Sequence, residues 1–260
     1  MNVDVEKAIK PLRKLRNTLN DFPADPSPDE VHNLRTRTRR LEAIVHALPP
    51  DSDRCAPRLL KHAKPVRRAA GKVRDMDVLL AKLFALSDDD GDGLLRLADH
   101  LASRRRKYAD RLSRVVDRRR KKLRRLLKQY ADAVEENGSG GDLAALSTSQ
   151  RLTSELEHWP RLHQDNLHDF RIRAKELRYM LQLSPEADRH RMEALDEIKD
   201  AAGEWHDWVE LRAIATEVLN PKADAEILSR IDLLTQEKLR ASLAAANRLR
   251  TRAIEGRAAA

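Results

Sequence analysis

Apolar residues recur three or four positions apart along nearly the whole chain, and prolines and glycines cut that pattern into segments. Leu12, Leu15 and Leu19 define a first helix that ends in the Pro-rich stretch from Phe22 to Pro28. Ser27 or Asp29 can cap the next, which carries Leu34, Leu41, Val45 and Leu48 before Pro49 and Pro50 stop it. A third is expected from about Pro57 to Leu86, closing in the acidic, Gly-containing run from Ser87 to Gly93. The fourth, Leu94 to Glu136, has no internal Pro or Gly, and unbroken it would span about 64 Å. Asn137-Gly-Ser-Gly-Gly141 is the clearest linker. Beyond it the spacing predicts helices at Leu146–His158, about Asp165–Leu183, Ala187–Leu219 and Lys222–Ile254, with Pro160, Pro185 and Pro221 at the joints. This is an all-α pattern with strand content near zero. Four helices, a Gly linker and four helices suggest two four-helix bundles, over residues 1–137 and 142–260.

The two halves also share sequence. Val31-His-Asn-Leu-Arg-Thr-Arg-Thr-Arg-Arg-Leu41 matches Leu167-His-Asp-Phe-Arg-Ile-Arg-Ala-Lys-Glu-Leu177 at an offset of 136. His32, Arg35, Arg37 and Arg39 thereby pair with His168, Arg171, Arg173 and Lys175. A shorter match sets Gly71-Lys-Val-Arg-Asp75 beside Gly203-Glu-Trp-His-Asp207. The halves read as duplicated copies.

Helical geometry says where these groups point. At about 100° per residue, with His32 at 0°, Arg35 falls near −60° and Arg39 near −20°, while Leu34, Leu41, Val45 and Leu48 gather around 180°. In the second copy His168, Arg171, Lys175 and Arg178 form the same stripe, with Phe170, Leu177 and Leu181 opposite. Arg37 and Arg173 fall toward the apolar side, as braces expected to meet carboxylates of a neighbouring helix. On the fourth helix Arg104, Lys107, Arg111, Arg114, Arg118, Lys122 and Arg125 advance by three or four residues each time. They form a stripe bordering the sector of Leu101, Tyr108, Leu112, Leu123 and Leu126.

Charge sharpens this picture. The chain carries +9, from 51 Lys and Arg against 42 Asp and Glu. Arg104 to Lys128 holds 14 basic residues against Asp110 and Asp117, or +12, which leaves −3 for the remainder. So concentrated a source suggests a polyanionic partner. Aromatic residues are 3% of the chain, too few to stack on a single-stranded nucleic acid. Eight Gly and eleven Pro disfavour a β-sandwich or collagen-like chain. The N-terminal residues lack the apolar core of a secretory signal, and no run approaches the ~20 apolar residues of a membrane span. Cys55 is the single cysteine, which excludes an internal disulfide and fits a reducing, cytoplasmic compartment.

The twice-used His-x-x-Arg-x-Arg-x-(Arg/Lys), followed by Arg74-Asp-Met-Asp-Val-Leu79 in one half and Ala202-Gly-Glu-Trp-His-Asp207 in the other, resembles the CHAD domain, the conserved histidine α-helical domain. The resemblance covers roughly Pro28 to the C-terminus. It implies two four-helix bundles related by pseudo-twofold symmetry, together forming one such domain. It also implies a basic cavity between the bundles that binds inorganic polyphosphate, often with recruitment to polyphosphate granules. The CYTH triphosphatase domain that often precedes such domains has a Glu-x-Glu-x-Lys signature, absent here, so a stand-alone binding module is expected.

The site residues carried over are His32, Arg35, Arg39, Arg40, His168, Arg171, Lys175 and Arg178, joined by the stripe of the fourth helix. Glu176 stands opposite Arg40, and Glu42 opposite Arg178, so the copies are not chemically equal. Arg74 and His206, at equivalent places, either reach the ligand or brace the bundle, and Asp75 and Asp207 are assigned mainly to structure.

Other readings compete with this one. A basic run on a helix is ordinarily a solvated face, and a nucleic-acid or nucleoid protein would use the same arginines. Asp88-x-Asp90-x-Asp92-Gly93, with Asp99 at the twelfth place, resembles a calcium loop, but Arg96 at the ninth place argues against it. The chain has no Gly-x-x-x-x-Gly-Lys-(Ser/Thr) loop, no clear two-metal carboxylate cluster and no nucleophile with an evident base. A non-enzymatic protein without cofactor or resident metal is therefore expected, with an enzyme of phosphate metabolism as the less favoured alternative.

Overall fold

The computed structural model describes residues 5–48, 55–86, 91–137, 142–182 and 189–258. They form α1 (Val5–Asp21), α2 (Pro28–Ala47), α3 (Cys55–Phe84), α4 (Asp92–Asn137), α5 (Asp142–Glu157), α6 (Gln164–Leu181), α7 (Arg189–Val218) and α8 (Ala225–Ala258), with no strand among the described residues. Each expected helix is present, with ends shifted by a few residues. The protein is all-α.

Local chemistry explains the boundaries that position the motifs. Ser27 takes an extended backbone (φ −66°, ψ 161°) and caps α2, its hydroxyl accepting from the Glu30 N–H while the Glu30 carboxylate accepts from the Ser27 N–H at 2.8 Å. That reciprocal box, with Pro28 in the first turn, satisfies donors that a helix start otherwise leaves open. The same hydrogen bonds hold the Glu30 carboxyl below the ordinary carboxylate range. On α2, Val31, Leu34, Thr38, Leu41 and Ile44 are buried. Their equivalents 136 residues on, Leu167, Phe170, Ala174, Leu177 and Met180 of α6, are buried as well. Of the apolar residues expected opposite the second basic stripe, Leu181 is only half-buried.

The chain divides into two compact units. The first takes α1, α2, α3 as far as Asp77 and α4 from Ser103. In it α3 and α4 run antiparallel. Cys55 Sγ donates to the Leu126 carbonyl, Arg119 to His62 Nδ1 at 3.1 Å, and Arg105 to Asp77 at 2.8 Å. Tyr130 donates to the Leu48 carbonyl at 2.6 Å, and Arg13 of α1 pairs with Glu135 of α4 at 2.6 Å. α3 runs helically through Pro65, although a proline removes one backbone bond there.

The second unit takes the end of α3 from Val78, the start of α4 to Ala102, α5 from Ser149, and α6, α7 and α8. Lys82 of α3 pairs with Glu204 of α7 at 2.7 Å, and Arg96 of α4 clasps both oxygens of Asp224, at the entry to α8, at 2.6 and 2.8 Å. Trp159 meets Phe170 edge to face at 5.5 Å, and Trp205 and Trp208 are buried. The expected bundles at 1–137 and 142–260 follow the linker, whereas the packing units divide α3, α4 and α5 between them.

Candidate anion-binding site

In the first unit the cap at Ser27 places His32 in the second turn of α2, and burial of Val31 and Leu34 turns His32 and Arg35 away from the core. His32 is exposed, Arg35 and Arg39 are half-buried, and Arg40 is exposed. α3 brings Gly71 and Arg74 to this face. A methyl group at Gly71 would stand 3.9 Å from Arg35 Nε, so the guanidinium lies across the glycine. The His32 pKa is held below 6.5, first by burial and then by the charges of Arg74 and Arg35, with Asp29 opposing them.

The second unit builds the same arrangement from different residues. A methyl group at Gly203 of α7 would stand 3.6 Å from Arg171 Nη2, again placing the motif arginine against the glycine. Where the first unit has Arg74, the second has His206, whose ring lies 5.0 Å from that of His168. The His168 pKa is lowered by burial first, then by His206 and Arg171. His206 Nε2 lies 3.3 Å from Glu210 Oε1, and that contact holds the Glu210 carboxyl low. Burial pushes the Asp207 carboxyl up, against the pull of Lys82 and Arg171. With His206 in the place of Arg74, this site has one guanidinium fewer than the first.

The structure gives partners to Arg178 and to the two residues expected as braces. Arg178, expected in the second basic stripe, pairs with Asp196 of α7 at 2.5 Å, where α6 packs on α7. The counterpart bridge in the first unit has its signs reversed, with Glu42 of α2 holding Arg67 of α3 at 2.6 Å. Arg37 is a brace as expected, but its partners are the Thr18 hydroxyl and the Lys14 carbonyl of α1 rather than a carboxylate. Arg173 does meet a carboxylate of a neighbouring helix, Glu155 of α5, at 3.2 Å.

On α4 the structure sorts a crowded run of cations. Arg105 donates to Asp77 and to the Pro26 carbonyl, Arg119 to His62, and Arg120 to Asp117 and the Asn20 and Phe22 carbonyls. These three brace the unit. In the stripe, Lys107, Arg111, Arg114, Arg118 and Arg125 are exposed, while Arg104 and Lys122 are half-buried. Arg104 reaches the Tyr108 hydroxyl, and Arg114 its own helix at the Asp110 carbonyl. Lys61, Lys64, Arg68 and Lys72 of α3, none of them among the expected site residues, face the same groove as Arg111. Their spacing of three and four was the available signal.

Chemically, the paired sites offer guanidinium forks and imidazole N–H donors, groups that match phosphate oxygens. Among the described residues no group of three or more His, Cys, Asp or Glu is arranged to hold a metal. The calcium-loop reading depends on Asp88 and Asp90, which lie outside the described residues. No described helix is long and apolar enough to cross a membrane.

Comparison with known proteins agrees with the fold. The chain resembles the crystal structure of the CHAD domain from the plant Ricinus communis, with a TM-score of 0.68 at 18% identity over 96% of this chain and 92% of that one. It also resembles PptA from Streptomyces chartreusis, with a TM-score of 0.64 at 16% identity over 98% of this chain and all of that one (100%). No curated protein matches the sequence. The family model described as CHAD domain matches residues 7–216, a span that contains both histidine–arginine motifs and both glycines beneath them, and the chain belongs to that family.

Proposed function

We propose that this protein binds inorganic polyphosphate through its two histidine–arginine sites, as a non-catalytic module recruited to polyphosphate granules. One observation carries the reading: a motif arginine lies across a helix glycine with a histidine one turn before it, and the arrangement is built twice. His32, Arg35 and Arg74 supply donors in one site, and His168, Arg171 and His206 in the other. Lys175 and the exposed cations of α4 add charge. Membership of the CHAD family supports this ligand class. Recognition would be of charge density, with direct hydrogen bonds and counterion release both contributing.

Calorimetry with long-chain polyphosphate and with duplex DNA at matched charge, in about 150 mM salt, tests the proposal. Polyphosphate is expected to bind more tightly. Arg35→Ala and Arg171→Ala are each expected to lose about 1.5–3 kcal/mol, the worth of a hydrogen bond to a charged group, or roughly 10- to 150-fold. Equal affinity for DNA would refute the assignment. The exposure of Lys107, Arg111, Arg114, Arg118 and Arg125 favours a second reading, duplex binding along α4. That reading predicts a steep salt dependence and weak competition by polyphosphate.

A further inference from the structure

α3 carries a second set of cations, apart from the histidine motif. With Lys61 at 0°, Lys64, Arg68 and Lys72 fall within a sector of about 80°, a continuous stripe about 16 Å long. With Arg67 of α3 and Arg111 of α4 they line a groove of about 1220 Å³ in the first unit. Glu42 is its lining carboxylate, and Arg67 already holds it at 2.6 Å. Among the described residues, none of Lys61, Lys64, Arg68, Lys72 and Arg111 has an ion-pair partner. Beside Lys61 the crowding also reaches His62, whose pKa is held below 6.5 by burial and then by Arg119, Lys122, Lys61 and Arg58.

The duplicated half makes this stripe informative. At the offset of 132 that aligns Gly71 with Gly203, Lys61, Lys64, Arg68 and Lys72 correspond to Glu193, Asp196, Asp200 and Glu204 of α7. All four positions carry the opposite charge. Yet each of those acids is neutralised inside its own unit: Glu193 by Arg189, Asp196 by Arg178 and Lys199, Asp200 by Lys199, and Glu204 by Lys82. One copy of this helix face is acidic and internally compensated. The other is basic and uncompensated, in a groove, where unscreened like charges cost stability unless an anion fills it.

We infer that the α3–α4 groove of the first unit is a separate polyanion site, lacking a counterpart in the second unit, that takes a run of condensed phosphate longer than the histidine motif can hold. Its cations recur at each helical turn along a line, which suits a flexible chain carrying charge at closer intervals than a turn. A single-stranded nucleic acid would also want exposed aromatic faces. Among the groove's lining residues Tyr108 is the one Phe, Tyr or Trp, and it is already covered by Lys72, whose ammonium lies 5.5 Å from its centre. The naming of the ligand rests on the polyphosphate reading, whereas the existence of the groove site does not.

The test measures binding of tripolyphosphate and of long-chain polyphosphate at several salt concentrations. It compares wild type, a groove variant (Lys61→Gln, Lys64→Gln, Arg68→Gln and Lys72→Gln together) and a motif variant (Arg35→Ala with Arg171→Ala). The groove variant should bind long chains at least about tenfold more weakly, with a log K against log salt slope shallower by about 3, and bind tripolyphosphate within about twofold of wild type. The motif variant should lose affinity for both ligands. Were the quadruple variant to misfold, Lys64→Gln and Lys72→Gln singly should each weaken long-chain binding severalfold. Wild-type affinity and slope in the groove variant or in both single variants would overturn the groove, whatever the motif variant does. Loss in the groove variant with wild-type binding in the motif variant would overturn the motif-based function and leave the groove standing. A dimer at low salt that the groove variant abolishes, with polyphosphate binding unchanged, would make the stripe a self-contact and overturn the ligand site. Equal loss of duplex DNA and polyphosphate from equal starting affinities would overturn its selectivity for condensed phosphate.

Discussion

Arg105 and Arg118 lie in the same basic run, and the structure gives them opposite jobs. Arg105 donates to Asp77 at 2.8 Å and to the Pro26 carbonyl at 2.9 Å, and the two side chains of the pair are only 18% and 4% exposed. Arg105→Ala would leave the Asp77 carboxylate buried without that partner, a loss that costs 3–5 kcal/mol in comparable pairs. Some residual solvent at Arg105 favours the lower end, about 3 kcal/mol. For a chain of this size that corresponds to a fall in Tm of about 6 °C. It would also untie the segment before Ser27, on which the start of α2 and the placement of His32 depend. Arg118 is exposed and, among the described residues, has no ion-pair partner. Arg118→Ala should therefore stay within about 0.5 kcal/mol of wild type while reducing the salt dependence of polyphosphate binding by about 0.7. Thermal melts and salt titrations of both variants separate the roles. Replacing both Arg105 and Asp77 by Leu should recover most of the stability lost in the single variant. The reasoning is refuted if Arg105→Ala melts within about 1 °C of wild type and lowers the salt slope as much as Arg118→Ala does.

Other consequences follow from the two sites and their braces. Because His32 and His168 are held below 6.5 in the free protein and a bound polyanion raises their pKa, affinity should climb as pH falls through the bound-state value. The gain levels off only below the lower free-state value, so it should continue below pH 6.5. Calorimetry from pH 8 to pH 5 on wild type and on His32→Ala with His168→Ala reads this, and parallel curves would remove histidine from the account. Arg178→Ala should cost about 1 kcal/mol and leave polyphosphate affinity within about twofold, since Arg178 serves Asp196. Burial pushes the Asp196 carboxyl up, but hydrogen bonds from Lys199 and Arg178 outweigh it and hold it below 3.8. Its contribution is thus present above 3.8 and lost as pH falls through the folded value, so the acid-denaturation midpoint of the variant should move up. Gly71→Ala should stabilise α3 by roughly 0.5–1 kcal/mol, because a methyl group meets Arg35 only at 3.9 Å, whereas Gly71→Leu should displace Arg35 and weaken binding. Melting and binding curves of the two glycine variants check both halves of that statement.

Helix placement was readable because its signals are local. Ser27, Pro28 and Glu30 write the start of α2 in four residues, and the spacing of Val31, Leu34, Leu41 and Ile44 states which face is buried without reference to any other part of the chain. The duplicated His-x-x-Arg was likewise visible, and the structure adds the glycine beneath each arginine. For Arg178 an amphipathic projection gives the direction of the side chain but not what stands there. On α6 that direction meets Asp196 of α7. The α3 stripe was hidden for a related reason. Its four cations differ from the ordinary basic residues of a solvated helix only in facing a groove with no carboxylate to spare.

The sequence by itself determined the all-α class, the helices α1 to α8 of the described residues, the pair of histidine–arginine motifs and the concentration of charge on α4, since each follows from period, caps and composition within one segment. Only the tertiary structure decided which cations are braces and which remain available. That choice turns on the register of antiparallel α3 and α4, which delivers Arg105 to Asp77 and Arg119 to His62, and on the partners that α7 finds for its acids. A charge in sequence is only a formal sign. Whether it is compensated depends on residues far away in the chain.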